Sequence, residues 1–194
     1  FFFIATASTE SYTLSLHDAL PISVPAGGVS PRVLHIINSG TRGAEETARR
    51  LLLHTPWDIT CAVGRDKALQ IRLEKIAAVR GHPTRILGWT NQMPRLLMTH
   101  HLVVSKAGGA TTQEAIAALC PMIICQVVPG QEEGNYELLR RHQAGALATS
   151  PADVVAQLNR ALADDGALGR RWRAALRPLA RPDAAGDIAR SVLA

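Results

Sequence analysis

Two consecutive segments between Leu102 and Tyr136 restrict this chain more than anything else in it. Each begins with a short apolar run, Leu102–Ser105 and Met122–Val128, passes through a glycine-containing turn and continues in a helix-like pattern. Short apolar runs that feed helices are the pattern of parallel strands buried on both faces. Both turns then open at the same edge of one sheet. In open α/β sheets that edge, outside the carboxyl ends of the strands, is where ligands bind.

The first turn, Ala107-Gly108-Gly109, lacks a Cβ at two consecutive positions, so a ligand can approach the backbone closely. The helix starting near Ala110 and Thr111 presents free N–H groups and a positive dipole end, which together suit an anion such as phosphate. Helix side chains lean toward the N-terminus, so Glu114 reaches back toward whatever the turn holds. A carboxylate repels phosphate but accepts hydrogen bonds from a diol such as ribose. The second turn, Pro129-Gly130-Gln131-Glu132-Glu133, adds an amide and two carboxylates at a helix start, acceptors suited to sugar hydroxyls.

The paired motifs Lys-Ala-Gly-Gly-Ala-Thr-Thr-Gln-Glu (Lys106–Glu114) and Pro-Gly-Gln-Glu-Glu-Gly-Asn (Pro129–Asn135) resemble the donor-binding half of the family 28 GT-B glycosyltransferases. Within that family the chain is most similar to the diacylglycerol glucosyl- and galactosyltransferases, over roughly Arg32 to Ala148. The resemblance implies an inverting, metal-independent transfer of a hexose from a UDP-sugar, a substrate and not a cofactor, to a membrane lipid. It also implies nucleotide-sugar contacts at Lys106, Gly108, Gly109, Ala110, Thr111, Glu114, Gly130, Gln131, Glu132 and Asn135. The acceptor's general base would lie in another half, so no catalytic base is assigned.

At 194 residues, 47% hydrophobic and 19% charged, the chain has the size of one globular domain and is short for two. A GT-B enzyme has two such domains, and a chain beginning at Phe1 reads as the second half of a longer protein. Net charge is +5, with six arginines between Arg170 and Arg190 that suit either an anionic membrane surface or a solvated helix face. Aromatics make up only 4%, without aromatic–basic interleaving, and no nucleic-acid module is visible. Cys61, Cys120 and Cys125 have no Cys-x-x-Cys spacing and fit a reduced, cytoplasmic setting.

Along the chain, residues 1–30 do not fit the rest. Ser15–Ser23 resembles a translated sequencing adapter and the stretch to Pro31 reads as linker, so 1–30 is expected to be unstructured and 31–194 to be the domain. A strand at Arg32–Asn38 leads into Ser39-Gly40-Thr41-Arg42-Gly43 and a helix to about His54. In the resembled family this loop holds the diphosphate; here Ser39, Gly40 and Arg42 are the candidates. A dinucleotide site would want Gly-x-Gly-x-x-Gly, which Gly40 and Gly43 do not supply.

A second strand, Asp58–Val63, precedes a helix from Lys67, with Asp66 as its cap. After a third strand, Thr84–Leu87, the resemblance places Trp89, Thr90 and Met93 at the nucleotide base; the alternative is a core Trp89. His100 and His101 close the next helix, where cations are favourable. No Asp-x-Asp follows a strand, and Asp164-Asp165-Gly166 reads as a helix end. Helices fill the chain from Ser150-Pro151, with Asp187–Leu193 as the element that crosses to a partner domain in GT-B proteins.

The reading is a doubly wound parallel α/β sheet of Rossmann-like type, strand order unresolved, forming one half of a GT-B architecture. Two alternatives stay open: a stand-alone UDP-sugar-binding subunit that works with a separate membrane partner chain, and a sugar-nucleotide epimerase using Glu132 or Glu133.

Overall fold

The computed structural model describes residues 30–37, 40–181 and 183–193. The expected linker over residues 1–30 lies outside these apart from its last residue, and Ser39 lies outside them too. Six strands, β1 (Arg32–Ile36), β2 (Asp58–Ala62), β3 (Thr84–Leu87), β4 (Leu102–Lys106), β5 (Met122–Gln126) and β6 (Gly145–Leu147), form one sheet. All neighbouring strands run parallel, in the order β3-β2-β1-β4-β5-β6. Helices α1 (Ala44–His54), α2 (Lys67–Ala77), α3 (Met93–Thr99), α4 (Gly109–Ala117) and α5 (Glu133–Arg141) alternate with them. α6 (Pro151–Leu176) and α7 (Ala184–Leu193) follow the last strand.

Side chains alternate across β1 and feed two cores. Val33 joins a cluster with Ala48, Leu51, Leu73 and Leu158 from α1, α2 and α6. Leu34 joins another with Leu97, Ala115, Ile116 and Leu139 from α3, α4 and α5. A sheet covered on both faces explains why the strands read as continuous apolar runs. Right-handed crossovers explain the strand order: the chain winds from β1 outward to β3 under α1 and α2, returns beside β1 as β4, and winds the other way. The strand order therefore reverses between β1 and β4.

Local chemistry sets the helix boundaries. The Asp66 carboxylate accepts from the Leu69 N–H at 2.8 Å, and Ser150 Oγ accepts from the Asp153 N–H at 3.1 Å with Pro151 in the first turn. Inside α6, Asp164, Asp165 and Gly166 take φ of 50°, 54° and 77°, so the helix breaks where the sequence puts a helix end. β6 lies against β5 only because residue 145 is glycine; a Cβ there would overlap the Met122 carbonyl oxygen.

The histidine pair differs from the sequence reading. His100 is buried between β2 and α3, its Nε2 2.9 Å from the Thr60 hydroxyl and its Nδ1 2.6 Å from the Leu96 carbonyl oxygen. Desolvation lowers its pKa to about 4, so it is neutral and not a cation on the helix end. His101 is buried as well, and its Nδ1 accepts from the Arg32 N–H at 2.7 Å, stitching β4 to β1.

Candidate functional site

The reversal between β1 and β4 leaves a crevice at their carboxyl ends, flanked by the loop after β1 and the turn after β4. In the first of these, Gly40 and Gly43 have φ of 78° and 66°, a backbone that other residues adopt only under strain. The Arg42 N–H donates to Gln126 Oε1 at 2.8 Å, so the loop reaches past β4 to the end of β5. The Arg42 side chain is exposed. Gln126 is not singled out by the sequence, where it lies inside the apolar run Met122–Val128.

The turn after β4 begins α4 at Gly109, one residue earlier than expected. Gly108 is the N-cap, no side chain caps the helix, and its first turn carries no acidic residue. The N–H groups of Gly109, Ala110 and Thr111 have no acceptor within the helix, and the positive end of its dipole is uncompensated. Gly109 and Ala110 are exposed, Gly108 and Thr111 half-buried. Farther along, Glu114 is half-buried, has no partner among the described residues, and burial pushes its carboxyl pKa up.

The turn after β5 folds directly against this one. The Asn135 amide donates to the Ala107 carbonyl at 2.8 Å, and Lys106 Nζ forms an ion pair with Glu132 Oε1. Glu132 Oε2 accepts from the Val128 N–H at 2.9 Å, and Glu133 Oε1 from the Gly130 N–H at 2.6 Å. Two sequence expectations change here. Glu132 is only 4% exposed with both oxygens engaged, so it is not a free acceptor for sugar hydroxyls. Lys106, neutralised by it, is not a free cation at the anion turn. Gln131 is exposed beside Gly130 and offers an open acceptor on this turn.

Trp89 follows β3 and is 67% exposed, which removes it from the core. Thr90 Oγ1 accepts from the Gln92 N–H at 3.1 Å, shaping the entry into α3, and Met93 packs half-buried against the Leu34 cluster. Trp89 thus stands at the same sheet edge as the two turns, three strands from β4, or about 14 Å at the usual strand spacing.

These groups stand along the carboxyl edge of the sheet: backbone donors at the start of α4, a carboxylate farther along that helix with no partner among the described residues, an exposed guanidinium and an exposed indole. No group of three or more His, Cys, Asp or Glu able to hold a metal occurs among the described residues. Nor is any helix among them long and apolar enough to cross a membrane. A separate cavity of about 310 Å³ lies elsewhere, along β6 between α5 and α6.

No family model matches the chain. It is 27% identical over 136 residues to the processive diacylglycerol beta-glucosyltransferase of Bacillus cereus, covering 70% of this chain and 35% of that protein. Identity to the enzyme of the same name from Bacillus subtilis is 25% over 139 residues, covering 70% and 36%. The chain therefore spans about a third of the length of these relatives. Among solved structures, MurG of Acinetobacter baumannii superposes with a TM-score of 0.66 at 18% identity, over 84% of this chain and 49% of that one. A UDP-glucosyltransferase from Polygonum tinctorium gives 0.61 at 18%, over 77% and 36%. The chain is thus similar in sequence to diacylglycerol β-glucosyltransferases and has the Rossmann-like fold found in GT-B glycosyltransferases.

Proposed function

We propose that this domain binds the UDP-sugar donor of an inverting, metal-independent glycosyltransferase that passes a hexose to a membrane lipid such as diacylglycerol. The observation that carries the reading is the occurrence, on one helix at the strand-order reversal, of a first turn without a side-chain cap and of a half-buried Glu114 carboxylate with no partner among the described residues. One suits a diphosphate and the other the ribose diol next to it.

In this reading the N–H groups of Gly109, Ala110 and Thr111 hold the diphosphate, and Glu114 accepts from the ribose hydroxyls. Trp89 stacks on the uracil, and Gln131 meets hexose hydroxyls. As the bond from the sugar to the diphosphate breaks, negative charge grows on the departing oxygen. The preoriented amides of α4, with the Arg42 guanidinium on the loop that crosses toward β5, stabilise that charge without reorganising. The acceptor hydroxyl is deprotonated by a group outside this chain. The exposed Ile188, Val192 and Leu193 of α7 would meet the second domain. The protein then works on the cytoplasmic membrane face, with the exposed C-terminal arginines near anionic lipid.

The epimerase alternative gains nothing from the structure, because Glu132 is buried and doubly hydrogen-bonded and Glu133 caps Gly130. Calorimetric titration of the chain with UDP, UDP-glucose and inorganic pyrophosphate tests the proposal. Saturable binding of UDP that exceeds that of pyrophosphate is the expected outcome. A folded chain that binds neither UDP nor UDP-glucose overturns it.

A further inference from the structure

Gln126 ends β5, and its two acceptors hold two different turns. Its carbonyl oxygen accepts from the Ala107 N–H at 2.9 Å, immediately before Gly108. Its side-chain Oε1 accepts from the Arg42 N–H at 2.8 Å, across 84 positions of sequence. One half-buried residue thus joins the loop after β1 to the turn that opens α4.

An irregularity in the sheet makes this possible. Ser105 pairs with Ile124 but Lys106 pairs with Gln126, so Cys125 is an extra residue on β5. Met122 and Ile124 belong to the Leu34 cluster, while Ile123 and Cys125 pack in the Val33 cluster. Strict alternation would send the Gln126 side chain back to the Leu34 side. It reaches instead the loop entering α1, whose Ala44 and Ala48 belong to the Val33 cluster, and Val127 takes the Leu34 side. Bulges re-aim side chains in this way.

We infer that Gln126 is a positioning residue: it fixes the loop over residues 40–43 against the α4 turn and so sets where the Arg42 guanidinium stands relative to the α4 amides. The inference rests on the donor-site reading for its ligand, not for its geometry. Gly40 and Gly43, at φ of 78° and 66°, give the loop a backbone with many alternatives, which a bond to β5 narrows. A charge held at a fixed distance stabilises a diphosphate more than one on a wandering loop.

The test uses Gln126→Leu, which cannot accept from the Arg42 N–H, and Gln126→Glu, which can, in the 194-residue chain. Amide hydrogen exchange over residues 40–43 is measured beside calorimetric titration with UDP. Exchange accelerates in Gln126→Leu and stays at the wild-type rate in Gln126→Glu. UDP affinity falls about tenfold in Gln126→Leu. Made in an Arg42→Ala background, the same change lowers it less than about threefold, because the group it positions is gone. Equal losses in the two backgrounds overturn the inference, since a purely structural role does not depend on the guanidinium. Equal exchange in wild type and Gln126→Leu overturns it as well. If the wild-type chain binds no UDP, the donor-site reading fails and exchange alone decides the tether: acceleration in Gln126→Leu but not in Gln126→Glu upholds it, and any other pattern refutes it. Should Gln126→Leu not fold, Gln126→Ser, too short to reach the N–H, replaces it in every arm.

Discussion

The Asn135 side-chain amide donates to the Ala107 carbonyl oxygen at 2.8 Å, tying the first turn of α5 to the residue that precedes the glycine pair. Ala107 is fully buried, and the bond links positions 28 apart in sequence. Asn135→Ala leaves that carbonyl without its side-chain donor in a buried place, at a cost of about 1–3 kcal/mol. Thermal denaturation of the variant should show the loss, and Asn135→Asp at neutral pH should show more, because the carboxylate faces an oxygen.

Glu114 tests the ribose contact. Glu114→Ala should weaken UDP binding by about 1.5–3 kcal/mol, the range for hydrogen bonds to a charged group, and Glu114→Gln should restore part of it. Wild type should prefer UDP to 2′-deoxy-UDP in calorimetry, and the Ala variant should not. An Ala variant that keeps both the affinity and the discrimination removes Glu114 from the site.

Trp89 separates binding from folding. With 67% of the residue exposed, Trp89→Ala should leave the melting temperature close to wild type. If the indole stacks on the base, UDP affinity should fall by about 1–3 kcal/mol, the usual worth of such stacking. A large drop in melting temperature would return Trp89 to a structural role.

Acid sensitivity should come from two buried imidazoles. His35 is fully buried, neither ring nitrogen has a hydrogen-bond partner among the described residues, and burial lowers its pKa from 6.5 to about 4; His100 is lowered to about 4 as well. The folded values lie below the unfolded one, so between these pH values the unfolded chain binds more protons. Stability is then full above pH 6.5 and falls as pH drops toward 4. The loss reaches up to about 3 kcal/mol for His35. His35→Leu should flatten part of this slope in denaturant titrations from pH 7 to pH 4. It should also raise stability at pH 7, since it removes two unsatisfied polar atoms.

The elements were legible along the chain because their signals are local. Apolar runs marked the strands, Asp66 and Ser150 marked helix starts, and Asp164-Asp165-Gly166 marked the break in α6. Strand order was not legible, because β4 returns beside β1 across a gap in sequence, and periodicity does not encode which neighbour a buried strand takes. The histidines were misread for a related reason. A helix-end position says nothing about the β2 threonine that buries His100.

At the site the division is the same. Sequence by itself determined that Gly108-Gly109 opens a helix and that Glu114 lies along it, since backbone sterics and helical spacing settle both. Only the tertiary structure decided that Lys106 and Glu132 neutralise each other, that Gln126 holds the Arg42 loop, and that Trp89 stands exposed. Each of these depends on segments brought together by parallel pairing of strands far apart in sequence. Charge, exposure and hydrogen-bond partnership belong to that packing and not to any single stretch of chain.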